Sequence, residues 1–289
     1  MSSFAGRTRR ACAPVRRPVA ARQRGSRAGG GRAVQLEFTD QVVVVTGGSR
    51  GLGRELVHAF AAGGAHVVIA SRRLTTCEAV AAEVVAATGR RAVPVACHVG
   101  QWDDLDHLAE LVDAEFGRVD VLVNNAGMSP LYPAVADITE ELFDKVVAVN
   151  LKGPFRLCAL LGTRMAAGDG GAIVNISSVA AVRPQPGDLP YAAAKAGLNS
   201  LTMGFAQTLG PKVRVNGVMA GPFLTDISKA WDLPTFEAHA KRRYALGRLG
   251  QPHEIVGPVL LLASRAASFT TGTVITVDGG VSISSPFPS

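Results

Sequence analysis

The chain has 289 residues, 47% of them hydrophobic and 6% aromatic, which suits one large domain or two small ones and is ample for a buried core. Its net charge of +7 sits at one end: residues 1–36 hold nine arginines and no lysine or acid, and the remainder carries 21 basic against 23 acidic residues. A basic nucleic-acid-binding body is therefore not expected, and Cys12, Cys77, Cys97 and Cys158, with no CxxC pair and no metal-ligand spacing, point to reduced structural thiols rather than a zinc site.

The first segment, RTRRACAPVRRPVAARQRGSRAGGGR (7–32), has too few large apolar groups to offset its ordering entropy, so residues 1–36 are expected to be a disordered tail. An Arg-rich, acid-free tail suits an organelle transit peptide, an electrostatic contact with nucleic acid or anionic lipid, or a dispensable extension. It lacks the apolar run of a secretory signal. No apolar run approaches the ~18–20 residues of a membrane span. The body is expected to be cytoplasmic, or organellar if the tail is a transit peptide.

From residue 42 onward short β-branched runs alternate with helical spacing. Strands are expected at 42–46, 65–70, 92–97, 119–124, 172–177, 213–218 and 273–277, each bounded by Gly, Asn, Asp or Ser. Helices are expected at 54–64, 76–89 and 102–117, each stopped by glycine. A long one at 139–165 is expected to kink at Gly153-Pro154. Six such alternations imply a Rossmann-type, doubly wound parallel α/β sheet of about seven strands with helices on both faces. Residues 37–289 form the single folded domain.

The stretch TGGSRGLG (46–53) follows the first strand and opens the first helix, where such folds hold a dinucleotide pyrophosphate. Gly47 permits the tight turn, Gly51 the approach of backbone to phosphate, and Gly53 close packing of helix on strand. The spacing is G-x-x-x-G-x-G, not the commoner G-x-G-x-x-G. With NNAG at 124–127, YAAAK at 191–195, VRVNGVMAGPFLT at 213–225, LGRLGQPHEI at 246–255 and VDGG at 277–280, the chain resembles the short-chain dehydrogenase/reductase family over nearly all of 40–280.

The resemblance implies a single-domain enzyme that moves a hydride between a nicotinamide cofactor and a ketone or secondary alcohol. Cofactor contacts are then expected from Gly47, Ser49, Arg50, Gly51, Leu52, Gly53, Asn124, Ala126, Gly127, Tyr191, Lys195 and Thr225. Thr225 would take the nicotinamide carboxamide. An acid at the end of the second strand would bind the 2′-hydroxyl of NAD. This chain has Ser71 there, followed by Arg72. Arg50 and Arg72 together suit a 2′-phosphate, so NADP(H) is expected ahead of NAD(H). The family usually has Asp after the third strand, contacting adenine; here His98 stands in its place. Ala220-Gly221 replaces the family's frequent Pro-Gly.

Ketone reduction needs a proton as well as a hydride. Tyr191 and Lys195 lie one helical turn apart, and the ammonium is expected to lower the phenol's pKa towards the working pH. By the family's spacing Ser178, with Ser177 as its neighbour and alternative, orients the substrate oxygen. The resemblance also implies that Asn150 supports a water linking the lysine to solvent for proton relay. The substrate wall is expected from 128–133, 179–190 and a lid at about 225–246, which carries Trp231, Leu233 and Phe236, then Lys241, Arg242 and Arg243. Those features suit an acyl chain on an anionic carrier, a mobile lid over a small ketone or polyol, or a solvated helix face equally. Enoyl reduction, epimerisation and a non-catalytic NADP-binding module use the same scaffold. The resemblance also implies a homotetramer or homodimer built on the helices at 139–165 and 190–208.

Overall fold

The computed structural model describes residues 36–225, 228 and 232–283. All of the arginine-rich tail except Leu36 lies outside the described residues, as does Trp231 of the expected lid.

Seven strands form one parallel sheet in the order β3-β2-β1-β4-β5-β6-β7. They are β1 (Val42–Thr46), β2 (His66–Ser71), β3 (Ala92–Ala96), β4 (Val121–Asn124), β5 (Gly171–Ser178), β6 (Val213–Ala220) and β7 (Val274–Val277). Central β1 is buried along its whole length, because helices cover both faces. Pro94 falls on β3, an outer strand, where a missing N–H leaves no central ladder broken.

The side chains of β1 alternate between two cores. Val43 and Val45 join Leu56 and Phe60 of α1 (Gly51–Ala62) on one face. Val42 and Val44 face Leu105 and Leu108 of α3 (Trp102–Phe116) and Leu157 and Leu161 of α5 (Gly153–Ala167). Each such fully buried side chain contributes roughly 1.5–3 kcal/mol. The remaining helices are α2 (Leu74–Thr88), α4 (Glu140–Val147), α6 (Leu189–Leu209), α7 (Leu233–Arg243) and α8 (Val256–Ala263).

Two expectations are corrected here. The long helix does not simply kink at Gly153-Pro154. Between α4 and α5 the chain makes a π-turn over Ala148–Lys152. Pro154 has no N–H for the carbonyl of Asn150, four residues back, and Gly153 passes so close to Val99 that a Cβ would stand 2.1 Å from its carbonyl oxygen. The continuous helical stretch Glu140–Ala167 is also long and apolar enough to cross a membrane by length and composition. Its apolar residues Leu157, Leu161 and Met165 instead fill the core beneath the sheet.

A buried polar chain fastens α6 to the sheet. Asn124 Nδ2 donates to Asn175 Oδ1 at 2.9 Å, Asn175 Nδ2 to Thr202 Oγ1 at 2.9 Å, and Thr202 Oγ1 to the carbonyl of Leu198 at 2.9 Å. The helix carrying Tyr191 and Lys195 is thus registered against β4 and β5.

Candidate active site

Strand order reverses between β1 and β4, which opens a crevice at their carboxyl ends. The glycine loop enters it. Gly47 and Gly51 are left-handed, with φ of 64° and 52°. A Cβ on Gly53 would lie 2.2 Å from the carbonyl oxygen of Gly47, so helix and strand meet only if residue 53 is glycine. No side chain caps α1, whose N-cap is Arg50. Its first N–H groups are left for an anion. Leu52 packs on the core below. Gly51 faces Thr225 across the crevice, with 3.4 Å between a Cβ placed there and that of Thr225. These residues fit a dinucleotide pyrophosphate.

The loop is held from β4 by two residues that motif reading passes over. Thr46 Oγ1 accepts from Asn125 N at 3.0 Å and Ala126 N at 3.1 Å. Asn125 Nδ2 donates to the carbonyls of Thr46 and Gly47. Asn124, by contrast, is turned inward: its amide pairs with Asn175 and with the Cys158 sulfur. The signal for this difference lies in the sequence, since residue 124 still belongs to a buried strand and residue 125 is the first beyond it.

At the outer end of the crevice Ser49 Oγ donates to Ser71 Oγ at 3.0 Å. That contact brings the glycine loop to the end of β2. Arg50 and Arg72, each the next residue after one of these serines, are exposed and pair with no carboxylate among the described residues. His98 is fixed by its own loop: its N–H donates to Asp104 Oδ2 and its Nδ1 accepts from Gly100 N. With Nδ1 accepting, Nε2 is the ring nitrogen left to donate, where the family has an acceptor.

Tyr191 and Lys195 lie in the first two turns of α6, directly beyond the end of β5 at Ser178. Lys195 is buried, donates from Nζ to the carbonyl of Ile176 at 2.8 Å, and stands 5.7 Å from the Tyr191 ring centroid. Burial lowers its pKa to about 8. The Tyr191 phenol is moved the other way. Burial pushes it up, the nearby Ser178 hydroxyl pulls down, and the charge of Asp188 adds to the rise. The expected lowering of Tyr191 by Lys195 is thus corrected: desolvation dominates at both groups. Ser178 stands at the phenol, while Ser177 is buried with its hydroxyl on the Lys195 carbonyl.

Asn150 occupies the π-turn and is fully buried. Its Nδ2 donates to the carbonyls of Met128 and Val146, and its Oδ1 accepts from Met128 N. A Cβ on Gly127 would touch Asn150 Oδ1 at 3.0 Å and Lys195 Nζ at 3.7 Å. The exit of β4, Asn150 and Lys195 therefore converge on one point. The thiols of Cys97 and Cys158 are buried and pushed up to about 12, which suits packing rather than nucleophilic work.

The fold and this geometry define a dinucleotide-binding protein of the doubly wound class. Residues 47–282 match the family described as enoyl-(acyl carrier protein) reductase. The chain is 39% identical over 249 residues to the L-rhamnose 1-dehydrogenase (NAD(P)(+)) of Azotobacter vinelandii, covering 84% of this chain and 96% of that one. Its structure is similar to that of L-sorbose reductase from Gluconobacter frateurii complexed with NADPH and L-sorbose (TM-score 0.80, 27% identity, 86% and 98% of the two chains). It is also similar to a 7α-hydroxysteroid dehydrogenase complexed with NADH and 7-oxo glycochenodeoxycholic acid (TM-score 0.81, 33% identity, 85% and 96%). The chain belongs to the short-chain dehydrogenase/reductase family.

Proposed function

We propose that this protein is an NADP(H)-dependent oxidoreductase acting on a ketone or secondary alcohol. The observation that carries the reading is Tyr191, with Ser178 near its phenol and buried Lys195 one turn away, at the crevice that the glycine loop enters. The nicotinamide supplies or accepts the hydride when bound. Tyr191 gives its proton to the developing alkoxide, or takes one from the alcohol in the reverse direction. The Ser178 hydroxyl orients the oxygen and donates to it as charge develops. Lys195, one turn away, offsets only part of the cost of the tyrosinate left behind, since burial dominates the phenol, and Asn150 holds the exit of β4 against it.

The preference for NADP(H) rests on the Ser49–Ser71 contact, which joins the two segments that carry Arg50 and Arg72, and on the absence of an acid at the end of β2. The relatives differ in cofactor and in substrate, so family membership alone decides neither. A homo-oligomer is supported by apolar Phe155 and Met203, 40% and 52% exposed on α5 and α6. The test of the reading is a carbonyl and alcohol panel run on the full chain with NADPH/NADP and NADH/NAD. Turnover with NADPH well above NADH is expected. Equal use of NADH contradicts the role given to the two arginines, and binding without turnover on any substrate contradicts the enzyme.

A further inference from the structure

The rim of the crevice carries a carboxylate that the chemistry above does not use. Asp188 precedes Tyr191 by three residues, at the start of α6. With Ser129, Tyr132 and Tyr191 it lines a small recess backed by Leu142 and Val146. One of its oxygens accepts the Gln185 N–H at 2.8 Å. The other has no partner among the described residues, and neither has the Ser129 hydroxyl. Tyr132 is already engaged, donating to the carbonyl of Pro186 and accepting from Leu189 N. Among the described residues no cation lines the recess. Arg183, in the segment between β5 and α6, is bonded to the carbonyls of Val281 and Ser282.

Partly exposed and already bonded to Gln185 N, Asp188 keeps one acceptor position open on the rim beside the reacting phenol. It repels an anionic substrate, because two carboxylates at short range disfavour each other's charge. A neutral chain with a second hydroxyl near the reacting carbon satisfies both free groups, donating to Asp188 and exchanging a hydrogen bond with Ser129. We infer that Asp188 is a specificity-determining residue that accepts a hydrogen bond from a neutral polyhydroxylated substrate, a polyol or its ketose, and turns away carboxylates and carrier-bound anions. This rests on the oxidoreductase reading above. Burial raises the pKa of Asp188, and its charge reaches the Tyr191 phenol, both in keeping with a carboxylate close to the reacting group.

The test compares wild type and Asp188→Asn in NADP-dependent oxidation of neutral C4–C6 polyols (threitol, xylitol, sorbitol), of cyclohexanol and of gluconate. Asparagine keeps an oxygen for Gln185 N, so the loop is retained. A hydrogen bond to a charged group is worth roughly 1.5–3 kcal/mol, or about 10–100-fold. The loss in kcat/KM on the best polyol should exceed that on cyclohexanol by at least about tenfold, mostly through KM, and the gap between that polyol and gluconate should narrow. Equal losses on polyol and cyclohexanol, or a wild-type preference for gluconate, overturn the inference alone. A wild type that binds NADPH yet is inert on every alcohol overturns the oxidoreductase reading and this inference with it.

Discussion

The cofactor edge and the substrate rim of the crevice are built from different materials. At the cofactor edge, backbone meets backbone: Gly53 lies against the Gly47 carbonyl, and Thr46 and Asn125 tie β1 to the exit of β4. There is no slack for a single methyl group. At the rim, partly exposed side chains meet across loops, as Tyr132 does with Pro186 and Leu189. The contrast fits one demand that is constant, binding a dinucleotide, and one that varies among relatives, fitting a substrate. Changes at the first edge should therefore abolish function, and changes at the second should retune it.

Gly53→Ala tests that contrast most severely. Overpacking typically costs about 1–3 kcal/mol, and here the added carbon meets immobile backbone. Calorimetry should find no measurable NADPH binding, with a lowered Tm. Binding within threefold of wild type would show that the loop can give way.

Lys195→Met should lower turnover by roughly 10²–10³-fold, within the range for groups that serve proton transfer. It should also make the fold more stable at pH 7. A shift from 10.5 to about 8 means that holding the buried charge costs about 3 kcal/mol. Between pH 8 and 10.5 the unfolded chain binds the proton more strongly than the folded one, so wild-type stability rises with pH across that window. Denaturant titrations should show that rise in wild type and its absence in the variant. The gain at pH 7 is expected to be about 1–2 kcal/mol, since the Ile176 carbonyl loses its donor.

At the outer end of the cofactor edge, where the side chains are exposed, smaller effects are expected. Replacing Arg50 and Arg72 together by alanine should lower the NADPH-to-NADH ratio of kcat/KM by roughly 10–100-fold, given about 1.5–3 kcal/mol for hydrogen bonds to charged groups. An unchanged ratio would remove the 2′-phosphate role. Smallest is Tyr132→Phe at the rim, where two partly exposed hydrogen bonds are lost at roughly 0.5–1.5 kcal/mol each. A Tm decrease of a few degrees is expected, with substrate KM moving more than kcat.

The same contrast explains what could be read in the sequence. The strands were legible because a parallel strand buried on both faces must be a short apolar run, and β1 matches its expected range of 42–46. The glycine loop, Ser178, Tyr191 and Lys195 could be singled out as candidates because the proposed chemistry fixes residue type and spacing. Asn125 and Thr46 were missed because their contact joins residues about eighty positions apart, which no local period reports. The π-turn at Asn150 was expected only as a kink, since Pro154 signals a lost hydrogen bond but not how the backbone absorbs it. The direction of the Tyr191 shift depends on burial, which a Tyr-Lys spacing does not reveal. Asp188 carried no signal until the loops after β4 and β5 were brought together.

The most direct test of the account is Tyr191→Phe, assayed for NADPH-dependent ketone reduction alongside NADPH binding. Removing the phenolic proton donor should lower kcat by roughly 10²–10⁴-fold while the cofactor still binds. Turnover within a few-fold of wild type would contradict the assignment of Tyr191 as the group that delivers the proton.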